Sequence, residues 1–284
     1  MKTRSRDVIA LLLVAAACVG CRHFDPATDR VRLYALDCGR LEVADMAMFS
    51  DAGEWDGLPA TLANPCFLIR HPQGDLLWDT GYAQSLADTP GGVTFYEGFH
   101  KSLRSKLTTQ LAQLQLQPAD IDLLAISHSH DDHVGNANLF AGAEFLVSRA
   151  EHAAMFSTEA RQNAETFLGY AALEHARTIR FDDEHDVFGD GRVVIMSFPG
   201  HTAGSAVLQL QLKNAGTLVL TGDLYIHAKE REWQTVPQFT ADKAALVSSR
   251  QRLESWIEAS NARVVIQHSA SDFDALPRFP AYLD

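Results

Sequence analysis

The sequence has few cysteines, no long hydrophobic run and no excess of positive charge, and each absence excludes a class of protein. Four cysteines in 284 residues are too few for a disulfide-rich scaffold. Residues 8 to 20 form an uncharged, mostly apolar run that is shorter than the roughly 20 residues needed to span a membrane. The net charge of -12 gives the chain no electrostatic reason to bind nucleic acid. No low-complexity tract divides the remainder, so we predict one domain over residues 31 to 284.

The N-terminus has the pattern of an export signal over residues 1 to 20, because a basic start precedes the apolar run. The stretch Cys18-Val-Gly-Cys21 resembles a bacterial lipoprotein box, in which Cys21 would be lipidated and would anchor the chain to a membrane. Cleavage after Ala17 by an ordinary signal peptidase is the alternative, and a buried N-terminal helix is a third reading. We predict a polar tether over residues 21 to 30 and a location in the periplasm or on a membrane, rather than free secretion.

Cys38 and Cys66 remain as free sulfurs if Cys21 is lipidated. They could pair in an oxidising compartment, but one pair is not a disulfide framework. Both lie beside apolar, strand-like runs, so we favour two buried thiols.

Strand-like runs and helical spacings interleave along the chain, which predicts a layered α/β architecture. Short β-rich or apolar runs predict strands over residues 31–36, 66–70, 75–78, 121–126, 143–147, 193–198, 206–212, 217–221 and 264–267. Apolar residues at helical spacing predict helices over residues 101–117, 150–170 and 242–260.

The most informative stretch is S-H-S-H-D-D-H-V-G, residues 127 to 135, which directly follows the apolar strand at 121–126. Three further predicted strands are each followed closely by a histidine or an aspartate. These residues are His201 in P-G-H, Asp223 in T-G-D and His268 in V-I-Q-H. Strand ends of layered α/β folds are places where side chains converge on a ligand. The candidate metal ligands are His128, His130, Asp132, His133, His201, Asp223 and His268.

Imidazole nitrogens and carboxylate oxygens together suit Zn²⁺, and also iron, manganese or cobalt. Seven ligands exceed the needs of one tetrahedral zinc, but they suit two divalent ions that share a bridging carboxylate. The remaining histidines do not follow strands in this way, and we predict no metal-binding role for His100, His152, His175 and His185.

The motif H-x-H-x-D-H, followed by P-G-H-T-x-G-S, T-G-D and a late histidine, resembles that of the metallo-β-lactamase superfamily. The resemblance runs from about residue 31 to residue 284. It implies an αββα sandwich built from two similar halves, with a dinuclear metal centre at one edge. Asp79 in W-D-T-G is similar to an aspartate that supports the metal ligands of that fold from behind.

Three further stretches are informative, namely D-C-G-R-L-E-V, N-P-C-F-L-I-R-H-P-x-G-D-L-L-W-D-T-G and T-G-D-L-Y. Together they resemble the N-acyl-homoserine lactone lactonases, which open the lactone ring of bacterial quorum-sensing signals. The resemblance implies that His128, His130 and His201 hold one metal ion. The second ion would be held by Asp132, His133 and His268, and Asp223 would bridge the two.

One position departs from the pattern of those lactonases that place a substrate-contacting tyrosine three residues after the bridging aspartate. Here Ile226 occupies that place and Tyr225 precedes it. Tyr225 or His227 is a candidate for the missing contact, and a packed, non-functional Tyr225 is an equally good interpretation.

The hypothesis for the reaction is that a metal-bridging hydroxide attacks the carbonyl of a small-molecule acyl lactone, while Asp132 passes a proton to the leaving oxygen. An apolar groove would hold the acyl chain, and its candidate residues are Met46, Met48, Phe49, Phe95, Tyr96 and Phe99. The alternative is another ester or thioester hydrolase of the same fold, similar to glyoxalase II or a β-lactamase. A non-catalytic metal-binding protein is the remaining alternative. The sequence predicts neither the acyl-chain preference nor the oligomeric state.

Overall fold

The computed structural model describes residues 29 to 284. The predicted export signal, with Cys21 and nearly all of the predicted tether, lies outside these residues. Within the described part of the chain, every helix is too short or too polar to cross a bilayer.

Two β-sheets form the centre of the structure. The first sheet contains β1 (Arg32–Val43), β2 (Ala60–His71), β3 (Gly74–Trp78), β4 (Val93–Tyr96), β5 (Phe99–Ser102), β6 (Leu123–Ala125), β7 (Glu144–Ser148) and β8 (Thr178–Phe181). Their order across the sheet is β4-β5-β1-β2-β3-β6-β7-β8. The second sheet contains β9 (Glu184–Asp186), β10 (Val193–Ser197), β11 (Ala206–Leu212), β12 (Gly216–Leu220) and β13 (Arg263–Val265), in the order β13-β12-β11-β10-β9.

One α-helix, at residues 243–260, is long, and the others are short. In chain order the helices are α1 (Leu107–Gln113), α2 (Asp131–Val134), α3 (Arg149–Met155), α4 (Thr158–Gln162), α5 (Ala164–Tyr170), α6 (Glu230–Trp233), α7 (Lys243–Ser260) and α8 (Ala270–Asp274). Seven of the predicted strands overlap observed strands almost completely, but two predicted helices are too long. Residues 99–102 pair with β1 instead of starting a helix. Residues 149–170 form three helices, and the Ser157 side chain caps the start of α4 by accepting a hydrogen bond from Ala160 N.

The sheets pack face to face, and helices cover their outer faces. Along β2, Phe67 and Ile69 join the core between the sheets, whereas Cys66 and Leu68 pack on the helical side with α1 residues such as Leu111. The period of two residues in a strand produces this division, and burial of both faces explains the continuous apolar runs. On the opposite side, α7 packs on the second sheet through Leu246 and Leu253. The predicted αββα sandwich is confirmed.

The strands that precede the candidate ligands all end at the same edge of the sandwich. β3 and β6 are parallel neighbours in the first sheet, and β12 and β13 are parallel neighbours in the second. β10 runs antiparallel to β11, which runs antiparallel to β12, so β10 and β12 have the same direction. Their carboxyl ends therefore deliver side chains to one place, as expected for ligand sites in layered α/β folds.

The prediction of two buried thiols is wrong, because Cys38 and Cys66 form a disulfide between β1 and β2 with a Cα–Cα distance of 5.6 Å. Both residues are buried. The bond lies directly beneath the loop that follows β3, since a Cβ added to Gly81 would lie 2.3 Å from Cys38 Cβ and 3.1 Å from Cys66 Sγ. Gly81 has φ = +66°, so this position requires glycine both for space and for backbone conformation.

Candidate metal centre and its pocket

The structure brings all seven predicted ligand side chains together at the shared edge of the two sheets. They divide into two groups, each with ligand atoms within 4.8 Å of one another. The first group is His128, His130, His201 and Asp223, and the second is Asp132, His133 and His268.

Three imidazole nitrogens of the first group face one another across a small volume. His130 Nδ1 lies 2.9 Å from His128 Nε2 and 3.0 Å from His201 Nε2, and the two Nε2 atoms are 3.2 Å apart. Ligands about 2.0–2.1 Å from a tetrahedral ion are about 3.3 Å from one another. The spacing of these nitrogens therefore fits a common divalent cation.

Asp223 lies between the two groups and presents one carboxylate oxygen to each. Its Oδ2 is 3.3 Å from His201 Nε2 and 3.8 Å from His128 Nε2. Its Oδ1 is 3.2 Å from His133 Nε2 and 3.0 Å from His268 Nε2. This is the arrangement that a bridging carboxylate requires.

The electrostatics of the site differ between the two groups. Burial lowers the pKa of His201 to about 3, and burial likewise holds the pKa of His128 well below its usual value, so both imidazoles are neutral. Burial also disfavours charge on His268, but the nearby Asp223 carboxylate outweighs it and raises the His268 pKa to about 9. Burial alone would raise the pKa of Asp223, yet His268 and His133 hold it well below the usual range. A cation here would displace protons from the second group.

Hydrogen bonds from behind fix the orientation of the ligands. Asp79 Oδ2 lies 2.9 Å from His133 Nδ1, and the main-chain oxygen of Ala63 lies 2.7 Å from His268 Nδ1. With the outer nitrogen donating in each case, Nε2 keeps its lone pair for a metal ion. Asp79 is fully buried and has φ = +59°, a backbone conformation that aspartate tolerates better than most residues. The predicted supporting position of Asp79 agrees with this geometry.

Glu151 is a supporting residue that the sequence analysis missed. It is buried in α3, and its Oε1 accepts hydrogen bonds from Ser129 N at 2.9 Å and Ser129 Oγ at 2.7 Å. Its Oε2 accepts from Thr202 Oγ1 at 2.7 Å and Gly204 N at 3.0 Å. One carboxylate thus connects the loop of His128 and His130 to the loop of His201. A glutamate in a predicted helix carries no signal of this role, because its partners are distant in the sequence.

A pocket of about 520 Å³ opens onto the candidate metal ligands. His130, Asp132, Asp223 and His268 line its inner end. Its walls are mostly apolar, and they include five of the six predicted groove residues, namely Met48, Phe49, Phe95, Tyr96 and Phe99. Met46 does not line it, because this side chain is fully buried in the cluster of Val43, Phe49 and Trp55. Phe95 and Tyr96 belong to the β4–β5 hairpin and are largely exposed, which places them at the mouth.

The catalytic assignment of Tyr225 is not supported by its position. Its hydroxyl donates to Glu254 Oε1 at 2.9 Å, and the Arg250 guanidinium lies 4.7 Å from its ring centroid. It lines a different cavity, together with those two residues, whereas Ile226 lines the pocket at the metal ligands. The packed-aromatic interpretation therefore agrees with the structure. His227 also lies outside the pocket, against the ring of Trp55 at 4.5 Å.

Tyr82 is the second residue that sequence reasoning missed. It follows Gly81 after β3 and lines the pocket beside Asp132 and Asp223. Burial raises its pKa well above the usual value, and Asp132 and its neighbours add to this effect, so the phenol keeps its proton. The sequence feature that could have indicated Tyr82 as a pocket residue is its position directly after W-D-T-G, three residues from Asp79.

A family model described as the metallo-beta-lactamase superfamily matches residues 60 to 268. The chain belongs to this superfamily, and the predicted resemblance is confirmed. The fold and the site therefore define the class of protein: a hydrolase of the metallo-beta-lactamase superfamily with a group of His and Asp side chains that could hold metal.

Curated relatives are N-acyl homoserine lactonases. The chain is 29% identical over 268 residues to N-acyl homoserine lactonase AttM of Azorhizobium caulinodans, and the match covers 89% of this chain and 99% of the relative. It is 25% identical over 262 residues to N-acyl homoserine lactonase AiiA of Bacillus thuringiensis subsp. kurstaki, with 89% and 98% covered.

Solved structures show the same fold at lower identity. A structure of a single-residue mutant of B. thuringiensis AiiA with N-decanoyl-L-homoserine at its active site has a TM-score of 0.75 and 21% identity, and the match covers 88% of this chain and 98% of that one. AidC, described as a dizinc quorum-quenching lactonase, has a TM-score of 0.66 and 17% identity, with 89% of each chain covered.

Proposed function

We propose that the protein hydrolyses the lactone ring of N-acyl-homoserine lactones with the help of two divalent metal ions, most suitably Zn²⁺. The observation that carries this proposal is an apolar pocket that ends on two ligand groups joined by Asp223. The curated lactonases, which match nearly the whole chain, support the choice of substrate.

The bound ions would lower the pKa of a water molecule between them, so that hydroxide is available near neutral pH. The chain's own residues do the rest. The aromatic and aliphatic walls bind the acyl chain, exclude water from it and place the lactone carbonyl at the inner end. Asp79 and Ala63 O hold the ligating imidazoles in one tautomer.

Asp132 is the proposed proton carrier. Its carboxylate lies 3.5 Å from His268 Nε2, lines the pocket and keeps some exposure to it. As water in its hydroxide form adds to the carbonyl carbon, the Asp132 carboxylate takes the proton of the added hydroxyl group and passes it to the ring oxygen when the ring C–O bond breaks. The product carries one carboxylate and one hydroxyl. Asn64 supports this residue from below, because its Nδ2 donates to Asp132 O at 2.9 Å.

A hydrolysis panel with metal analysis tests the proposal. The metal-loaded full chain is given butanoyl-, hexanoyl- and decanoyl-homoserine lactone, a glutathione thioester and a β-lactam, and acid release is followed by pH. We expect two ions per chain and lactone hydrolysis whose kcat/KM rises by up to about fourfold per added methylene until the pocket is filled. His130→Ala should lose both metal and activity. Turnover of the thioester or β-lactam alone would replace the proposed substrate, and bound metal without any turnover would favour a metal-binding protein.

We also propose that the protein works outside the cytoplasm, in the periplasm or attached to a membrane by lipid on Cys21. The basic and apolar segments of residues 1 to 20 suggest it. The Cys38–Cys66 disulfide supports it, since disulfides persist in oxidising compartments. Mass spectrometry of the mature N-terminus separates lipidation of Cys21 from simple cleavage after Ala17, and an unprocessed Met1 in the soluble cytoplasmic fraction would contradict export.

A further inference from the structure

The hydroxyl of Tyr82 is a polar group without a protein partner on a buried side chain. The residue is only 5% exposed and lines the pocket at the metal ligands. Within residues 29 to 284, its hydroxyl makes no hydrogen bond to another protein group, although its backbone nitrogen and oxygen both do. The hydroxyl oxygen is not one of the fully buried unpartnered atoms, so it is accessible from the pocket and free to donate a hydrogen bond to a ligand there.

The ring of Tyr82 is held in place from several sides. A Cβ added to Gly39 would lie 2.4 Å from Tyr82 Cδ2, so the ring packs directly on the bare backbone of β1. Lys101 Nζ lies 5.3 Å from the ring centroid and 3.4 Å from Asp131 Oδ2. The Tyr82 backbone donates to Cys38 O at 3.2 Å and accepts from Asn136 Nδ2 at 2.8 Å. The hydroxyl is therefore positioned before any ligand binds, and a fixed donor needs no reorganisation during reaction.

The pocket offers no equivalent donor from the described residues near Asp223. Ile226 lines it with an aliphatic side chain, and the hydroxyl of Tyr225 is already bonded to Glu254 in another cavity. Tyr96, the other pocket tyrosine, is 67% exposed at the mouth.

We propose that Tyr82 is a catalytic residue whose hydroxyl donates a hydrogen bond to the carbonyl oxygen of the substrate ester as negative charge develops on that oxygen. The ligand class is a carboxylic ester or lactone that lies against the metal ligands with its acyl chain toward the mouth. The inference rests on the proposed function for the substrate, but its geometry holds for any ester cleaved in this pocket. The hydroxyl keeps its proton throughout, so no bond to hydrogen is broken at Tyr82.

Tyr82→Phe tests the proposal, with Tyr170→Phe as the matched control. The Tyr170 hydroxyl donates to Met155 O at 3.1 Å in the helical layer and does not line the pocket. We expect kcat of the metal-loaded Tyr82→Phe chain to fall by about 100-fold with little change in KM, because an oxyanion donor acts in the transition state. Metal content and the unfolding midpoint should not change, since no protein hydrogen bond is lost. Tyr170→Phe should keep the wild-type kcat.

A binding measurement gives a second readout. Calorimetry with the ring-opened N-hexanoyl-L-homoserine should show affinity about tenfold weaker for Tyr82→Phe than for wild type, because one hydrogen bond to a charged group is lost. Equal kcat and equal affinity in the two proteins would overturn the role of Tyr82. A large loss of kcat in Tyr225→Phe, with none in Tyr82→Phe, would assign the donor to Tyr225 instead.

Failure of the proposed function would be visible separately. A wild-type protein that cleaves a thioester or another ester but no homoserine lactone would contradict the substrate assignment. The same pair of variants would then be compared on the substrate that is cleaved, and an unchanged kcat there would overturn the role of Tyr82. If no substrate is cleaved, the proposed catalytic role is refuted together with the proposed function.

Discussion

Asp79→Asn is the sharpest test of how the protein prepares its ligands for metal. In the native structure Oδ1 accepts from Ser127 N at 2.6 Å, and Oδ2 accepts from Gln267 Nε2 at 2.5 Å and from the Nδ1–H of His133. Both oxygens act as acceptors, but asparagine has only one acceptor oxygen. Asparagine tolerates the backbone conformation at φ = +59°, so the change tests hydrogen bonding rather than backbone strain.

The expected result depends on which hydrogen-bond partner of residue 79 can change its own donor group. Gln267 cannot turn its amide, because its Oε1 accepts from Trp78 Nε1 at 3.3 Å. If the asparagine oxygen stays on Ser127 N, its amide group faces the Nδ1–H of His133 and disfavours that tautomer. The proton then moves to Nε2 of His133, which is the atom that faces Asp223 and His268. We expect the affinity for the ion in the second group to fall about 10- to 100-fold, or about 1.4–2.7 kcal/mol.

Competition with a chromogenic chelator measures the two ions separately, and urea unfolding of the metal-free protein measures the structural cost. That cost should be about 1–3 kcal/mol, because the buried Gln267 amide loses the shorter of its two hydrogen bonds and keeps only the one to Pro65 O at 3.4 Å. Asp186→Asn is the matched control, since Asp186 accepts from Gly189 N and Gly191 N in the second sheet and does not line the pocket. An Asp79→Asn protein that retains both ions with wild-type affinity would refute the tautomer argument.

Three further predictions concern the framework. Glu151→Gln should reduce affinity for the first ion and destabilise the fold by about 1–3 kcal/mol, because one amide cannot accept on both sides, and chelator competition with urea unfolding would detect it. Replacing both Cys38 and Cys66 by alanine should lower the free energy of unfolding by about 3.5 kcal/mol, given the sequence separation of 28, and an unchanged urea midpoint would contradict it. Burial raises the pKa of Glu230 from 4.5 to about 7 against the opposing effect of Arg250, so its stabilising contribution is complete below pH 4.5 and is lost as pH rises through 7. Over that interval about 3 kcal/mol should disappear, and Glu230→Gln should flatten the pH dependence of unfolding.

The clustering of the seven candidate ligands could be predicted from the sequence because it depends on local features. Each follows an apolar strand, and parallel strands that end at one edge bring such residues together whatever lies between them. The disulfide could not be predicted in the same way. The register between β1 and β2 shifts between Asp37 and Arg40, so Cys38 lies in an irregularity that no strand pattern reveals.

Tyr225 and Tyr82 show that the sequence does not predict the direction of a side chain either. Tyr225 is close to Asp223 in the chain, but after the turn at Gly222–Leu224 its hydroxyl reaches Glu254 of α7. Tyr82 is distant in the sequence from all seven candidate ligands and is close only to the supporting residue Asp79. The approach of its ring to Gly39 is a tertiary contact. Spacing along the chain predicts which residues are neighbours in sequence, but not which cavity a side chain enters.

The ligands come from both halves of the sandwich, and this has a consequence for folding. His128 to His133 follow the first sheet, whereas His201, Asp223 and His268 follow the second. An intermediate with only one half formed lacks part of each candidate ligand group, and such long-range contacts are acquired late. Tight retention of the two proposed ions would therefore report that the halves have docked, and stoichiometric metal content would then serve as an assay of complete folding during refolding experiments.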